Sequence, residues 1–82
     1  IGVGNGTDAI YIALRAMGIG PGDEVAVPAM TFIATGEAVT IAGAKPVFVD
    51  SDAQTFLMDL NKLESLLEKR AHTRGGKIRA II

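Results

Sequence analysis

The chain has 82 residues, 49% hydrophobic and 21% charged, with ten glycines, no cysteine and a net charge of −1, a composition typical of a soluble α/β domain. It carries no basic stripe to neutralise phosphates, no apolar run near the ~20 residues that span a bilayer, and no basic-then-apolar leader, so neither nucleic acid nor membrane is an expected partner and a cytoplasmic setting is expected. Without cysteine there is no disulfide framework or thiolate metal site, and the lone His72 has no second imidazole, so no metal is expected.

Ile1-Gly2-Val3 and Ile78-Arg79-Ala80-Ile81-Ile82 both read as pieces of buried strand, and termini seldom fall inside one. Residues 1–82 are therefore expected to be a fragment of one larger domain, with no boundary inside them. After the opening strand, Asp8 to Met17 carries Ile10, Ala13, Leu14 and Met17 at helical spacing, and Gly18 supplies a stop. Pro21-Gly22 forces a turn, and Glu24 to Pro28 reads as a short strand with proline tolerated near its end. Thr31 is the expected N-cap of a second helix, with Ala34, Ala38, Ile41 and Ala42 on its inner face and Gly43 at its end.

Pro46-Val47-Phe48-Val49 reads as a buried strand closing on Asp50, followed by an irregular polar stretch from Ser51 to Phe56. Asp59 is placed to cap a third helix with Leu60, Leu63, Leu66 and Leu67 inward and Lys69 and Arg70 in its last turn, where they suit the helix dipole. A loop over residues 71–76 leads to the last strand, Lys77 to Ile82. The alternation β-α-β-α-β-α-β predicts a three-layer α/β architecture, a mostly parallel sheet with helices on both faces joined by right-handed crossovers.

Ligands of an open parallel sheet bind outside the carboxyl ends of its strands. There, Gly4-Asn5-Gly6-Thr7-Asp8 opens straight into a helix. Glycines let the backbone approach an anion, the helix start offers free N–H groups and a positive dipole end, and Thr7 adds a hydroxyl. Two readings stand: a phosphate cradle, or a glycine-rich turn in which Thr7 caps its own helix. The Asp8 carboxylate would repel a phosphate, so only its backbone N–H could help. A dinucleotide fingerprint is poorly matched, because Thr7 stands at the third glycine and the second strand ends in Ala29-Met30 rather than an acid. A Walker A loop would need Lys and then Ser or Thr after its last glycine, and Gly6 is followed by Thr7-Asp8.

Phe32 falls on the same edge, at the start of the second helix and outside its apolar stripe. An aromatic ring there could lie over a planar cofactor; the competing reading is packing against the sheet.

Four segments taken in order, Gly4 to Ala9, Gly18 to Val25, Pro28 to Thr35 and Gly43 to Asp50, resemble the sugar aminotransferases of the DegT/DnrJ/EryC1/StrS family. The resemblance implies part of the large domain of a fold-type I pyridoxal-phosphate transferase. It implies that Thr7, with the backbone around Gly6 and Asp8, holds the cofactor phosphate and that Phe32 stacks on the pyridine ring. It further implies amino transfer from an amino acid, usually glutamate, to a nucleotide-linked keto sugar, in polysaccharide biosynthesis, by a homodimer with its active site at the interface.

Asp50 and Asp52 are expected to serve turns and caps. The family's Schiff-base lysine and the carboxylate facing the pyridine nitrogen fall beyond residue 82. Lys45 and Lys77 sit on the wrong edge to substitute, Lys62 and Lys69 on a solvated helix, and Tyr11 and His72 have packing and surface roles. No catalytic residue is therefore assigned within the chain. Three alternatives remain: a pyridoxal-phosphate-dependent sugar dehydratase of the same family, a nucleotide-binding Rossmann-type domain, and a non-catalytic interaction module. Made alone, the 82 residues are expected to be marginally folded and to hold no cofactor tightly, with Ile78, Ile81 and Ile82 on an unpaired edge.

Overall fold

Proline and glycine divide the chain into its elements. In a computed structural model that describes residues 1–75 and 77–82, the order is α1 (Gly6–Ala16), β1 (Asp23–Pro28), α2 (Ala34–Ile41), β2 (Lys45–Val49), α3 (Leu60–Ala71) and β3 (Lys77–Ile81). The three strands form one parallel sheet in the order β2-β1-β3. None of the described helices is long and apolar enough to cross a membrane. Gly76, the last residue of the expected 71–76 loop, lies outside the described residues.

The turn into β1 is built by Gly20-Pro21-Gly22-Asp23. The Asp23 N–H donates to the Gly20 carbonyl at 3.0 Å, and Gly22 takes a φ of +90° that a residue with a Cβ resists. Gly43 ends α2 in a similar left-handed conformation (φ +87°), and a Cβ there would also stand 3.1 Å from Cδ of Pro21. Gly43→Ala is accordingly expected to cost about 1–2 kcal/mol, read as a lowered thermal midpoint; an unchanged midpoint would show that the two turns do not constrain each other.

Strand alternation places the helices on both faces. Val25 and Val27 turn to one side, where they meet Leu14 of α1, Val39 and Ala42 of α2, Ile19 and Ala44 in a single core. Glu24 turns to the other, where it meets Arg70 of α3. The three-layer expectation therefore holds. In β3 the register slips between its contacts with Glu24 and Val25, so that Glu24 pairs Ile78 and Val25 pairs Ala80. Arg79 is the extra residue. The bulge lets Ile78 lie beside Leu67 and Arg70 of α3 while Ala80 packs on the core beneath α1.

Several expectations are corrected. Residues 1–4 form no strand among the described residues, because no neighbouring strand pairs with them. Helix α1 starts two residues before Asp8. Thr31 does not cap α2; the cap position falls at Ile33, which makes no side-chain cap bond. The inner face of α2 is Thr35, Ala38, Val39 and Ala42, and Ile41 is exposed. Strand β2 buries only Val49, because it is an edge strand. Helix α3 begins at its Asp59 cap as expected, yet none of its residues is fully buried. Ile81 and Ile82 stay exposed on the other edge, as expected, whereas Ile78, expected to be exposed with them, is half-buried.

Candidate cofactor-binding edge

The start of α1 is organised by Asn5. Its backbone is extended, its Oδ1 accepts from the Asp8 N–H at 2.9 Å, and its carbonyl accepts from the Ala9 N–H at 3.0 Å. Asn5 is thus the N-cap, and Thr7 lies inside the first turn, which removes the reading of Thr7 as the cap of its own helix. A helix start leaves its first N–H groups without helical acceptors. With the Asp8 N–H engaged by Asn5, those of Gly6 and Thr7 remain, together with the Thr7 hydroxyl and the positive end of the helix dipole.

The Asp8 carboxylate folds back over Gly4, where a Cβ would stand 2.6 Å from its Oδ2. Glycine at position 4 gives that side chain its place. These groups fit a phosphate monoester through Gly6 and Thr7. Asp8 contributes a nearby negative charge, and its N–H would become available only if Asn5 released it. The sequence carried a signal for this cap, since Asn followed three residues later by an acid at a helix start is a known N-terminal pattern.

Helix α1 brings this end to the carboxyl edge of the sheet. Its far end is joined to β1 by the short 17–22 connection, and Ala9, Ile10, Ala13, Leu14 and Met17 border a hollow with Ala80, Ile81 and Ile82 at the end of β3. Phe32 reaches the same edge by a different route, on the segment between β1 and α2. It is 79% exposed, so within this chain it does not pack against the sheet. It borders a hollow of about 690 Å³ together with Ala29, Ile41, Pro46 and Phe48. Gly6, Thr7 and Asp8 do not line that hollow, and the structure records no contact between Thr7 and Phe32.

Asp50, Asp52 and Glu24 have structural partners. Asp50 accepts from the Lys62 ammonium at 2.7 Å and from the Ser51 N–H at 3.1 Å. The Lys62 hydrogen bond, then the Ser51 N–H, hold its carboxyl below the usual range, and the same pair raises Lys62. Asp52 accepts from the N–H groups of Thr55 and Gln54, which lower its pKa likewise. Both carboxylates serve the turn before α3, as expected, so their contribution to stability is present at neutral pH and is lost as pH falls through their lowered values.

Lys45 and Lys77 begin β2 and β3, at the amino edge. There Glu24, 5% exposed, lies with Oε2 2.9 Å from Nε of Arg70 and Oε1 3.9 Å from Nζ of Lys45. The sequence offered no reason to single out Glu24. Tyr11 packs against the core and His72 follows α3, consistent with their expected roles. No group of three metal-ligating side chains occurs among the described residues.

The whole of residues 1–82 matches the model of the DegT/DnrJ/EryC1/StrS aminotransferase family. Over 70 residues the chain is 53% identical to the UDP-N-acetyl-3-dehydro-α-D-glucosamine 3-aminotransferase of Acidithiobacillus ferrooxidans, covering 85% of this chain and 19% of that protein. The crystal structure of a DegT/DnrJ/EryC1/StrS aminotransferase from Brucella abortus superimposes with a TM-score of 0.89 at 43% identity, over 94% of this chain and 21% of that one. The PLP form of Spr1654 from Streptococcus pneumoniae superimposes with a TM-score of 0.70 at 51% identity, over 72% of this chain and 15% of that one. The chain thus spans about a fifth or less of the length of these relatives. With a family model matched from end to end and the fold reproduced in a member's crystal structure, the chain belongs to the DegT/DnrJ/EryC1/StrS aminotransferase family.

Proposed function

We propose that these residues form the phosphate-binding and ring-covering part of the large domain of a pyridoxal-phosphate-dependent aminotransferase that acts on a nucleotide-linked keto sugar. The observation that carries this reading is the Asn5-capped start of α1, with Gly6, Thr7 and the dipole end left for an anion. The relative from Acidithiobacillus ferrooxidans is named as an aminotransferase for a UDP-linked dehydro sugar, and the PLP form of Spr1654 supports the cofactor. An amino acid as amino donor, a homodimer and a cytoplasmic setting belong to the same reading and follow from the family rather than from any side chain here.

Bound pyridoxal phosphate supplies the electron sink that amino transfer needs. The chain's own contribution is binding and orientation. Gly6 and Thr7 would hold the phosphate by two N–H groups and a hydroxyl, fixing the near end of the cofactor. Phe32, exposed on the same edge, would cover one face of the ring and keep water from it. Asp50 and Asp52 are assigned no part, since Asp50 is held by Lys62 and the Ser51 N–H and Oδ1 of Asp52 by the turn.

Titrating the full-length polypeptide that carries this sequence with pyridoxal phosphate and with NAD tests the reading. Saturable binding of the first and none of the second is expected; the reverse would return the chain to the nucleotide-binding alternative. In the same protein, Phe32→Ala should weaken pyridoxal phosphate by about 1–3 kcal/mol through lost stacking and apolar cover while the thermal midpoint holds. Unchanged affinity with a lowered midpoint would make Phe32 an ordinary packing residue.

A further inference from the structure

Phe32 is exposed, so side-chain packing within the chain does not aim its ring. Within this chain, what fixes its direction acts through the backbone. The segment that carries it has no cap at the start of α2, where Ile33 has helical angles (φ −54°, ψ −31°) and no side-chain cap bond.

One residue grips this segment twice. The Thr35 N–H donates to the Phe32 carbonyl at 3.0 Å, and the Thr35 hydroxyl shares a hydrogen bond of 2.9 Å with the hydroxyl of Thr31. Thr35 is only 9% exposed, and with Glu24 it makes up the buried polar residues of the chain's described part. A buried hydroxyl needs a partner. Thr31 is exposed and could turn to water without loss, so the bond answers the need of Thr35 and draws the residue before Phe32 toward the helix. Phe32 is thereby held on both sides, through the side chain of its predecessor and through its own carbonyl.

We infer that the Thr31–Thr35 hydroxyl pair sets the direction in which Phe32 presents its ring, with Thr35 acting as a positioning residue for the cofactor face. The inference rests on the reading of Phe32 as the ring-covering side chain. It differs from that reading in assigning the alignment to a buried hydroxyl that itself touches no ligand.

Thr35→Val isolates the effect. It keeps the shape and the N–H bond to Phe32, suits a buried site, and removes only the hydroxyl link. In the full-length protein freed of cofactor, affinity for pyridoxal phosphate should fall about 3- to 10-fold, the loss expected for one neutral hydrogen bond. Pyridoxal should lose the same factor, because the phosphate is not involved. Thr31→Val should reproduce the loss from the other side of the bond, Thr35→Ser should restore affinity, and the thermal midpoint of Thr35→Val should hold.

The deciding measurement is Thr35→Val combined with Phe32→Ala. With the ring gone there is nothing to aim, so the second substitution should add no further loss. An equal loss in both backgrounds, or no loss from Thr35→Val alone, overturns the inference and leaves the stacking role of Phe32 standing. Should Phe32→Ala by itself leave affinity unchanged, the stacking reading fails and this inference falls with it.

Discussion

Arg70→Met is expected to destabilise the protein by about 3 kcal/mol, whereas Glu24→Gln should cost no more than about half of that. The two partners differ in their escape routes. Glu24 is sealed at the amino end of the central strand, with 7% of its side chain exposed, while Arg70 on α3 keeps 31% of its side chain in water. Removing the arginine strands a carboxylate in the interior with only Lys45, at 3.9 Å, to answer it. Removing the acid leaves a guanidinium that can swing outward and be solvated.

Methionine keeps most of the apolar stem of Arg70, so lost packing is a minor part of the difference. The double substitution should recover much of the larger loss, because no buried charge then remains unpaired. Denaturant midpoints of the three variants measure this. Equal single effects that add in the double would show that the 2.9 Å approach of Nε to Oε2 carries no coupling.

The second large effect belongs to binding rather than folding. Thr7→Val should cost about 1.5–3 kcal/mol of pyridoxal phosphate affinity, the range for one hydrogen bond to a charged group. Helix α1 itself should be untouched, because its cap is Asn5. Pyridoxal, which lacks the phosphate, serves as the control and should bind both forms about equally. Matching losses for the two ligands would mean that the substitution disturbs the turn rather than removing a phosphate donor.

What could be read from sequence depended on how local the cause was. Turns were legible, because Gly22 and Gly43 act through their own backbone angles and Pro21 through its ring. The cap of α3 was legible because Asp59 bonds N–H groups two and three residues away. The inner face of α2 was misjudged in part because its eight residues touch three elements at once, α1, β1 and β2. Val39 meets the sheet core, and Thr35 is satisfied by the hydroxyl of Thr31 rather than by apolar contact.

The strand expected at residues 1–4 had the right composition, yet a strand is defined by its neighbour, and composition does not supply one. The bulge at Arg79 was hidden for a related reason. The run Ile78-Arg79-Ala80-Ile81-Ile82 does not by itself reveal which residues face which layer. At the candidate site, the glycines, Thr7 and Phe32 were visible as residue types in suitable places. The engagement of Asp8 by Asn5 and the grip of Thr35 on both sides of Phe32 emerge only once the backbone is folded.

Helix α3 has no fully buried residue, yet it is tied near its start by Lys62 to Asp50 and near its end by Arg70 to Glu24. Leu63 and Leu66 are only half-buried, so the helix rests on a thin apolar contact as well as on its ions. Its attachment within this chain therefore responds to charge and salt as well as to temperature. The two moorings also differ in kind. The one at Asp50 is open to solvent and yields to ionic strength, while the one at Glu24 is sheltered and yields only when a charge is removed. Within this chain, raised ionic strength is therefore expected to loosen the amino end of α3 before its carboxyl end, on the side of the sheet away from Leu14 and Val39.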